Sequence, residues 1–260
     1  MSDFRMKHEV VALGHIEMRL DRDSGLDELL ARHRALIENI WCEIQEERGG
    51  TLFNGILPCF VRICREDEKT TVFGQFIEYK QFIAQRRRPD LQLDIKPVGV
   101  SGITVLKWQD SEYVLFARRT DRTTEYPGFL ELVPSGSIDQ EFVAADGVVD
   151  YRAKLLSEFI EETGLSRDCV QSVSGFALVL DTDHHVYDIC CEIVLAISKE
   201  TFRHAFRSDE YSDPLFVSRM DLEAFIRANV DSIVPTSAAI IEAYLKRNEG
   251  KEEFLPRRPR

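Results

Sequence analysis

The sequence has no apolar run long enough to span a membrane, and its opening MSDFRMKHEV has no apolar core of the kind a secretory leader needs. It has no basic excess either. Thirty-three lysines and arginines against 45 aspartates and glutamates leave a net charge of -12. That balance excludes a non-specific nucleic-acid binder and a membrane-surface binder, because each needs a broad basic patch. No CxxC pair occurs. Cys42, Cys59, Cys64, Cys169, Cys190 and Cys191 are scattered through apolar segments, the pattern of small core residues in a reducing compartment rather than of a disulfide framework or a zinc site. Repeats and low-complexity stretches are absent too. The expectation is a soluble, cytoplasmic protein.

The 260 residues, 44% hydrophobic and 30% charged, suffice for a full core. They predict one large domain, or one domain with a substantial extra subdomain. Residues 9–20 read as β-rich. Residues 25–48 have helical spacing, with Leu26, Leu29, Leu30, Leu36, Ile37, Ile40, Trp41 and Ile44 on one face and Gly49-Gly50 as the stop. Strand-like runs at 56–64 and 71–79 flank a charged turn at 65–69, and a short helix at 80–88 ends at Pro89. From about residue 94 the pattern changes. Strands at 98–108, 113–118 and 129–133 precede a helix at 150–163. Strands at 170–180 and 186–197 follow, then helical stretches near 200–206, 221–228 and 236–247. Interleaved strands and helices predict an α/β or α+β sandwich. The organisation expected is an N-terminal extension over 1–93, a main domain over 94–248 and a fraying basic tail over 249–260.

The segment richest in chemistry is 156–165. Gly164 ends its helix, and Glu158, Glu161 and Glu162 stand at i, i+3 and i+4, so their carboxylates share a face. Like charges so spaced repel unless a cation sits among them, and an oxygen-only donor set suits magnesium or manganese. Leu155, Leu156, Phe159 and Ile160 form the opposite, apolar face. A Glu-rich helix face is also common as a plain solvated surface, and the triplet alone favours that reading.

The surrounding residues supply context. Ser157 to Leu165 resembles the end of the Nudix box, G-x5-E-x7-R-E-U-x-E-E-x-G-U, matching each fixed position except the arginine, which is Ser157; Phe159 is aromatic where the pattern is aliphatic. Upstream, Tyr113–Thr120 and Tyr126–Gly136 are similar to the strand, loop and strand that lead into the box. Downstream, Asp209–Ser218 and the segment from Asp221 resemble the family's last strand and following helix. The likeness covers roughly residues 95–245. Gly136 and Ser157 are 21 positions apart where the pattern has 14, so the box carries a seven-residue insertion. Its first acid is therefore either Glu141 or Asp150. The missing arginine removes a family ion pair that ties the helix to the loop.

The resemblance implies a Nudix-type α/β/α sandwich with a mixed sheet and an N-terminal α+β extension. It implies a pyrophosphohydrolase that uses Mg2+ or Mn2+ bound by Glu158, Glu161 and Glu162. Glu161, Glu162 and Glu210 are the candidate catalytic groups, with Glu162 and Glu210 as the alternatives for general base. Arg118, Arg119, Tyr126 and Gly136 are candidates for binding substrate, though the arginine pair reads equally well as a solvated strand end. A second likeness, in Leu52–Gly55, Tyr79-Lys80, Ala84, Arg86 and Val98–Gly102, is to the UDP-glucose pyrophosphatase branch, and implies a nucleotide sugar split into a nucleoside monophosphate and a sugar 1-phosphate. ADP-ribose or a dinucleotide is the alternative substrate. A non-hydrolytic nucleotide-binding module and a structural protein with a Glu-rich helix are the rival classes. The partner implied is a small-molecule nucleoside diphosphate derivative, not nucleic acid or membrane, and family members often form homodimers. His184-His185 reads as a polar turn, Arg86–Arg88 equally as a solvated helix end or as a patch that steers an anionic substrate, and Glu192 as a charge on an open sheet face or in the active-site cavity.

Overall fold

The computed structural model describes residues 8–21, 25–66, 69–123 and 125–252. A large mixed sheet, whose longer strands alternate apolar residues, is formed by β1 (His8–Leu13), β5 (Val98–Trp108), β6 (Ser111–Arg119), β7 (Leu130–Leu132), β8 (Ser135–Ser137), β9 (Val170–Asp181), β10 (Val186–Leu195) and β11 (Tyr211–Ser218). Its main order is β1-β9-β10-β5-β6-β11, with β7 paired to β6 and β8 to β5. Only β10 and β5 run parallel within it; the other pairs are antiparallel. A three-stranded sheet, β2-β4-β3, is formed by β2 (His15–Leu20), β3 (Ile56–Glu66) and β4 (Lys69–Glu78).

The two-residue period assigns each face. Val98, Val100, Leu115, Ala117, Ile189, Cys191 and Ile193 point to one side, where Leu155 and Phe159 of α3 (Tyr151–Thr163) cover them. Ile103, Val105, Val114, Phe116 and Cys190 point to the other, against α5 (Leu222–Asn229) and α6 (Pro235–Glu252). The outcome is the α/β/α sandwich with a mixed sheet that the sequence predicts. α4 (Lys199–Ala205) joins the α3 side through Phe202. The small sheet packs one face on α1 (Leu26–Glu47) and α2 (Tyr79–Arg87), and sends Ile16, Met18 and Val72 from its other face into the α3-side core.

Residues before 93 therefore serve both sheets. β1 pairs with β9, and after a break at Gly14 the chain enters the small sheet as β2, beside β4. The box insertion docks on this sheet as well: Val148 bridges Arg19, Val149 N–H donates to Met18 C=O at 2.9 Å, and Leu20 N–H donates to Gly147 C=O at 2.8 Å. The predicted turn at 65–69 includes two residues outside the described set, and residues 253–260 of the expected tail lie outside it altogether. Among the described residues no helix is long and apolar enough to cross a membrane. All six cysteines are free. Cys59, Cys190 and Cys191 are buried as expected, but Cys42 lies on the exposed side of α1.

Candidate functional site

Local sequence fixes the helix that carries the acids. Asp150 caps α3 by accepting the Ala153 N–H at 3.0 Å. Gly164, at φ 70°, ends it, with its N–H donating to Ile160 C=O at 2.9 Å. A side chain at Gly164 would also crowd Arg207, whose N–H donates to Thr163 C=O at 2.8 Å. Leu155 and Phe159 are buried. Ile160, assigned by the sequence to the apolar face, is 39% exposed because the helix leans on the sheet through a narrower stripe than the spacing suggests.

The three glutamates meet three environments. Glu162 is buried against the sheet, Glu158 is half-buried, and Glu161 is exposed. Ser135 N–H donates to Glu162 Oε1 at 3.4 Å, and Glu162 Oε2 is buried with no hydrogen-bond partner. Burial, followed by the charge of Glu158, pushes the Glu162 carboxyl up to about 9; Glu131 and Glu210 add to the repulsion and the Ser135 N–H opposes it. Burial also raises the Glu158 carboxyl, against the pull of Lys154. Gly136 lies so close that an added Cβ would be 2.7 Å from Glu158 Cδ, so any side chain there would push the carboxylate aside. β8 and the end of α3 thus face each other across two acids.

Lys154 lies 2.5 Å from Glu158 Oε1 and 2.6 Å from Asp139 Oδ2, joining the helix to the inserted loop. Burial works against its ammonium, but the bonds to Asp139 and Glu158 outweigh that and hold it above the ordinary lysine value. Where Ser157 provides no ion pair, Lys154 supplies one from one turn earlier. Asp150 is spent on the helix cap, and Glu141 is exposed in a short 3-10 turn at 140–142. The loop acid that reaches α3 is Asp139.

Beyond Glu162 the polar contacts continue along β7 and β6. Arg119 pairs with Glu131, which also accepts the Tyr211 hydroxyl at 2.8 Å, and Arg119 Nε donates to Glu125 C=O at 2.9 Å. Arg118, on the other face of β6, donates to Gly128 C=O at 2.7 Å. Tyr126 sits at φ 50° in the same turn, its ring 5.5 Å from that of Phe129. Glu210 is exposed at the start of β11, and its carbonyl accepts the Thr120 N–H at 2.8 Å. The structure therefore sets Glu158 against Gly136 and Glu162 against Ser135, with Glu210 and the Arg119-paired Glu131 close enough to act on Glu162. It turns Arg118 away and leaves Glu161 on the rim. Glu131, Tyr211, Lys154 and Asp139 were not singled out from sequence; Glu131, a charge inside the apolar run 129–133, was the visible signal.

The donors on hand are carboxylate and carbonyl oxygens. An orphaned, buried carboxylate oxygen beside a second acid is what a hard divalent cation relieves, so these residues fit such an ion. Among the described residues, however, no group of three or more His, Cys, Asp and Glu side chains is gathered as a ready ligand set. His184, in the β9–β10 turn, pairs with Asp181 at 2.8 Å, consistent with the polar turn. Glu192 belongs neither to an open face nor to this group of residues: it points to the α6 side and pairs with Arg247 at 2.8 Å. Arg86 to Arg88 are exposed at the end of α2. A groove between α5 and α6, lined by Met220, Ile226, Ile241 and Leu245, contains none of these site residues.

No family model matches the chain. No curated protein matches it either. Solved structures do match. A Deinococcus radiodurans protein is 16% identical over 73% of this chain and 99% of its own, with a TM-score of 0.44. The NUDIX domain of Shewanella oneidensis NrtR, solved with ADP ribose, is 14% identical over 58% of this chain and 86% of its own, at 0.37. A Francisella tularensis bifunctional NMN adenylyltransferase/ADP ribose pyrophosphatase, solved with AMP and a manganese ion, is 15% identical over 64% of this chain and 46% of its own, at 0.41. At these scores the case for function rests on the residues of this chain.

Proposed function

We propose that the protein is a Nudix-type pyrophosphohydrolase that splits the diphosphate bond of a small nucleoside diphosphate derivative, with Mg2+ or Mn2+ as cofactor. The observation that carries this reading is the buried, unpartnered oxygen of Glu162 beside Glu158, both facing the glycine strand at Gly136. A purely structural helix gains nothing from such a pair, which destabilises the fold until positive charge arrives. The same point weighs against the rival readings of a binding module and of a coincidental Glu-rich helix.

The chemistry asked of the site is charge neutralisation and delivery of an activated water. Glu158 and Glu162 would hold the cation, with Glu161 on the rim as a further oxygen donor through water. When bound, the cation supplies Lewis acidity toward phosphate oxygens and acidifies water. Glu162 is screened from solvent by β7, β8 and α3, and its carboxyl holds or releases a proton according to the charge beside it. Glu210, exposed at the lip, is the second candidate to take a proton from the attacking water. Arg119 is held by Glu131, which Tyr211 braces in turn, so it lends positive potential rather than a free guanidinium. The 120–129 turn, braced by Arg118 and carrying Tyr126, forms the wall against which a nucleoside can pack.

We further propose a nucleotide sugar such as UDP-glucose as substrate, on the strength of the short motifs in 52–102; ADP-ribose and dinucleotides are the competitors. The chain is read as acting from a soluble, cytoplasmic location, with residues 1–93 as an extension that braces the box loop. The test is phosphate release from UDP-sugars, ADP-ribose and dinucleoside polyphosphates with Mg2+, in wild type and Glu162→Gln. Turnover of one substrate, lost in the variant, is the expected result. Nucleotide binding without turnover of any substrate would sink the hydrolase reading and favour a binding module.

A further inference from the structure

Lys154 is, among the described residues, the cation in ion-pair contact with the α3 glutamates. Its ammonium is 2.5 Å from Glu158 Oε1 and 2.6 Å from Asp139 Oδ2, its side chain is 12% exposed, and it lies 5.7 Å from the Phe142 ring centre. It therefore stands inside the same group of oxygens that the proposed function assigns to a divalent cation. The two charges make opposite demands on Glu158. An ammonium and a divalent ion sharing one carboxylate in a half-buried site repel strongly, because solvent screening is weak there. The lysine stem allows a way out. Four methylenes let the ammonium swing while the stem stays packed, and Asp139, whose side chain is 52% exposed, offers a hydrated partner on the loop side.

We propose that Lys154 is an exchangeable counter-ion: it neutralises Glu158 in the cation-free protein, and an entering divalent cation drives its ammonium off Glu158 and leaves it on Asp139. The proposal rests on the hydrolase reading only for where the cation sits. No bond is made or broken; one cation replaces another at one oxygen, and a lysine on the loop side of the site is uncovered. Exchange explains how a helix with two inward acids folds before any metal arrives. It also makes the seven-residue insertion functional, since Asp139, which receives the released ammonium, belongs to that lengthened loop.

The experiment uses the full chain and no substrate. Mn2+ affinity is measured by electron paramagnetic resonance for wild type and Lys154→Met. Removing a like charge beside the ion is expected to tighten binding about tenfold. Unchanged or weaker binding overturns exchange and would make Lys154 a group that merely positions Glu158. A second readout needs no variant: acetylation of Lys154, followed by mass spectrometry, is expected to quicken when Mg2+ is added. An unchanged or slower rate also overturns the proposal, as does absence of Mn2+ binding. Turnover is scored separately. A wild type that hydrolyses a substrate yet shows neither change keeps the hydrolase reading and loses this one. A wild type that binds Mn2+, uncovers Lys154 and hydrolyses nothing does the reverse.

Discussion

Glu162 and Glu192 are both inward-facing carboxylates, set on opposite sides of one sheet, and their surroundings differ in kind. Glu192 meets Arg247 at 2.8 Å and the Tyr244 hydroxyl at 3.2 Å, and that arginine in turn lies over the Phe176 and Tyr244 rings. Its charge is compensated within the fold. Glu162 has one long backbone hydrogen bond, an orphaned oxygen and three other acids acting on it. On the α6 side the buried carboxylate is thus met by a cation, although Arg247 Nε is itself buried without a partner, and the α3 side is left one positive charge short. The sequence put Glu162 in an acidic cluster and Glu192 in an apolar strand but could not say which charge is compensated, because the deciding residues, Arg247 and Ser135, lie 55 and 27 positions away.

The contrast breaks most visibly at Glu162. Glu162→Gln should lower turnover by about a hundredfold or more, yet raise stability in EDTA at pH 7 by on the order of 1–3 kcal/mol, because a buried carboxylate without a partner is removed. Kinetics paired with urea denaturation would check both halves; a variant that is both inactive and less stable would refute the assignment. At Glu192 the signs reverse. Glu192→Ala strands Arg247 and should cost about 3 kcal/mol, while turnover per folded molecule stays near wild type. Gly136→Ala tests the close passage of β8: its Cβ meets only the movable end of Glu158, so stability should drop by less than about 1 kcal/mol, but Mg2+ response should weaken about tenfold.

The pH dependence sharpens the same comparison more gently. A carboxyl whose folded pKa is raised is favoured by folding at low pH and opposed at high pH. Without metal, the stability Glu162 gives up is therefore lost progressively between its ordinary value and about 9. Between pH 6 and 9 wild type should lose more stability than Glu162→Gln, and Mg2+ should close the gap. Asp188, pushed up to about 6 by burial and bonded to Ser101 at 2.9 Å, follows the same sign in a narrower window. Asp188→Asn should add a small stability increment above pH 6 and none below about pH 4, read from denaturation midpoints.

Most of the fold was legible because each element carries its own period. The alternation through 98–118 and 186–195 and the 3.6 spacing of 26–44 are local facts, and the elements formed where they pointed. The missed features are those of pairing. β8 is Ser-Gly-Ser, too short and polar for any pattern, yet it forms one wall of the site. The partnership of β1 with β9 joins residues such as His8 and Asp181, which no spacing connects. In the site, the helix acids were legible, but their ranking was not: one helical face is wide enough to put Glu162 inside, Glu158 at the boundary and Glu161 in water. The loop tie through Asp139 was hidden by the insertion, which shifted the expected acid to Glu141 or Asp150.

The pairing of β1 with β9 also bears on how this sheet avoids its neighbours. β1 is an edge cover contributed from far away in the chain: it occupies the free side of β9, satisfying the amides and carbonyls that run along Ala177–Asp181. A chain cut at residue 94, where composition invites a boundary, would keep both acids and the whole of α3, yet would expose a bare strand beside the buried Ala177, Leu178 and Val179. Such an edge is a template for any other strand of the same kind. The opening segment thus moves the edge of the sheet from the twelve-residue β9 to the six-residue β1, in which Ala12 alone is buried.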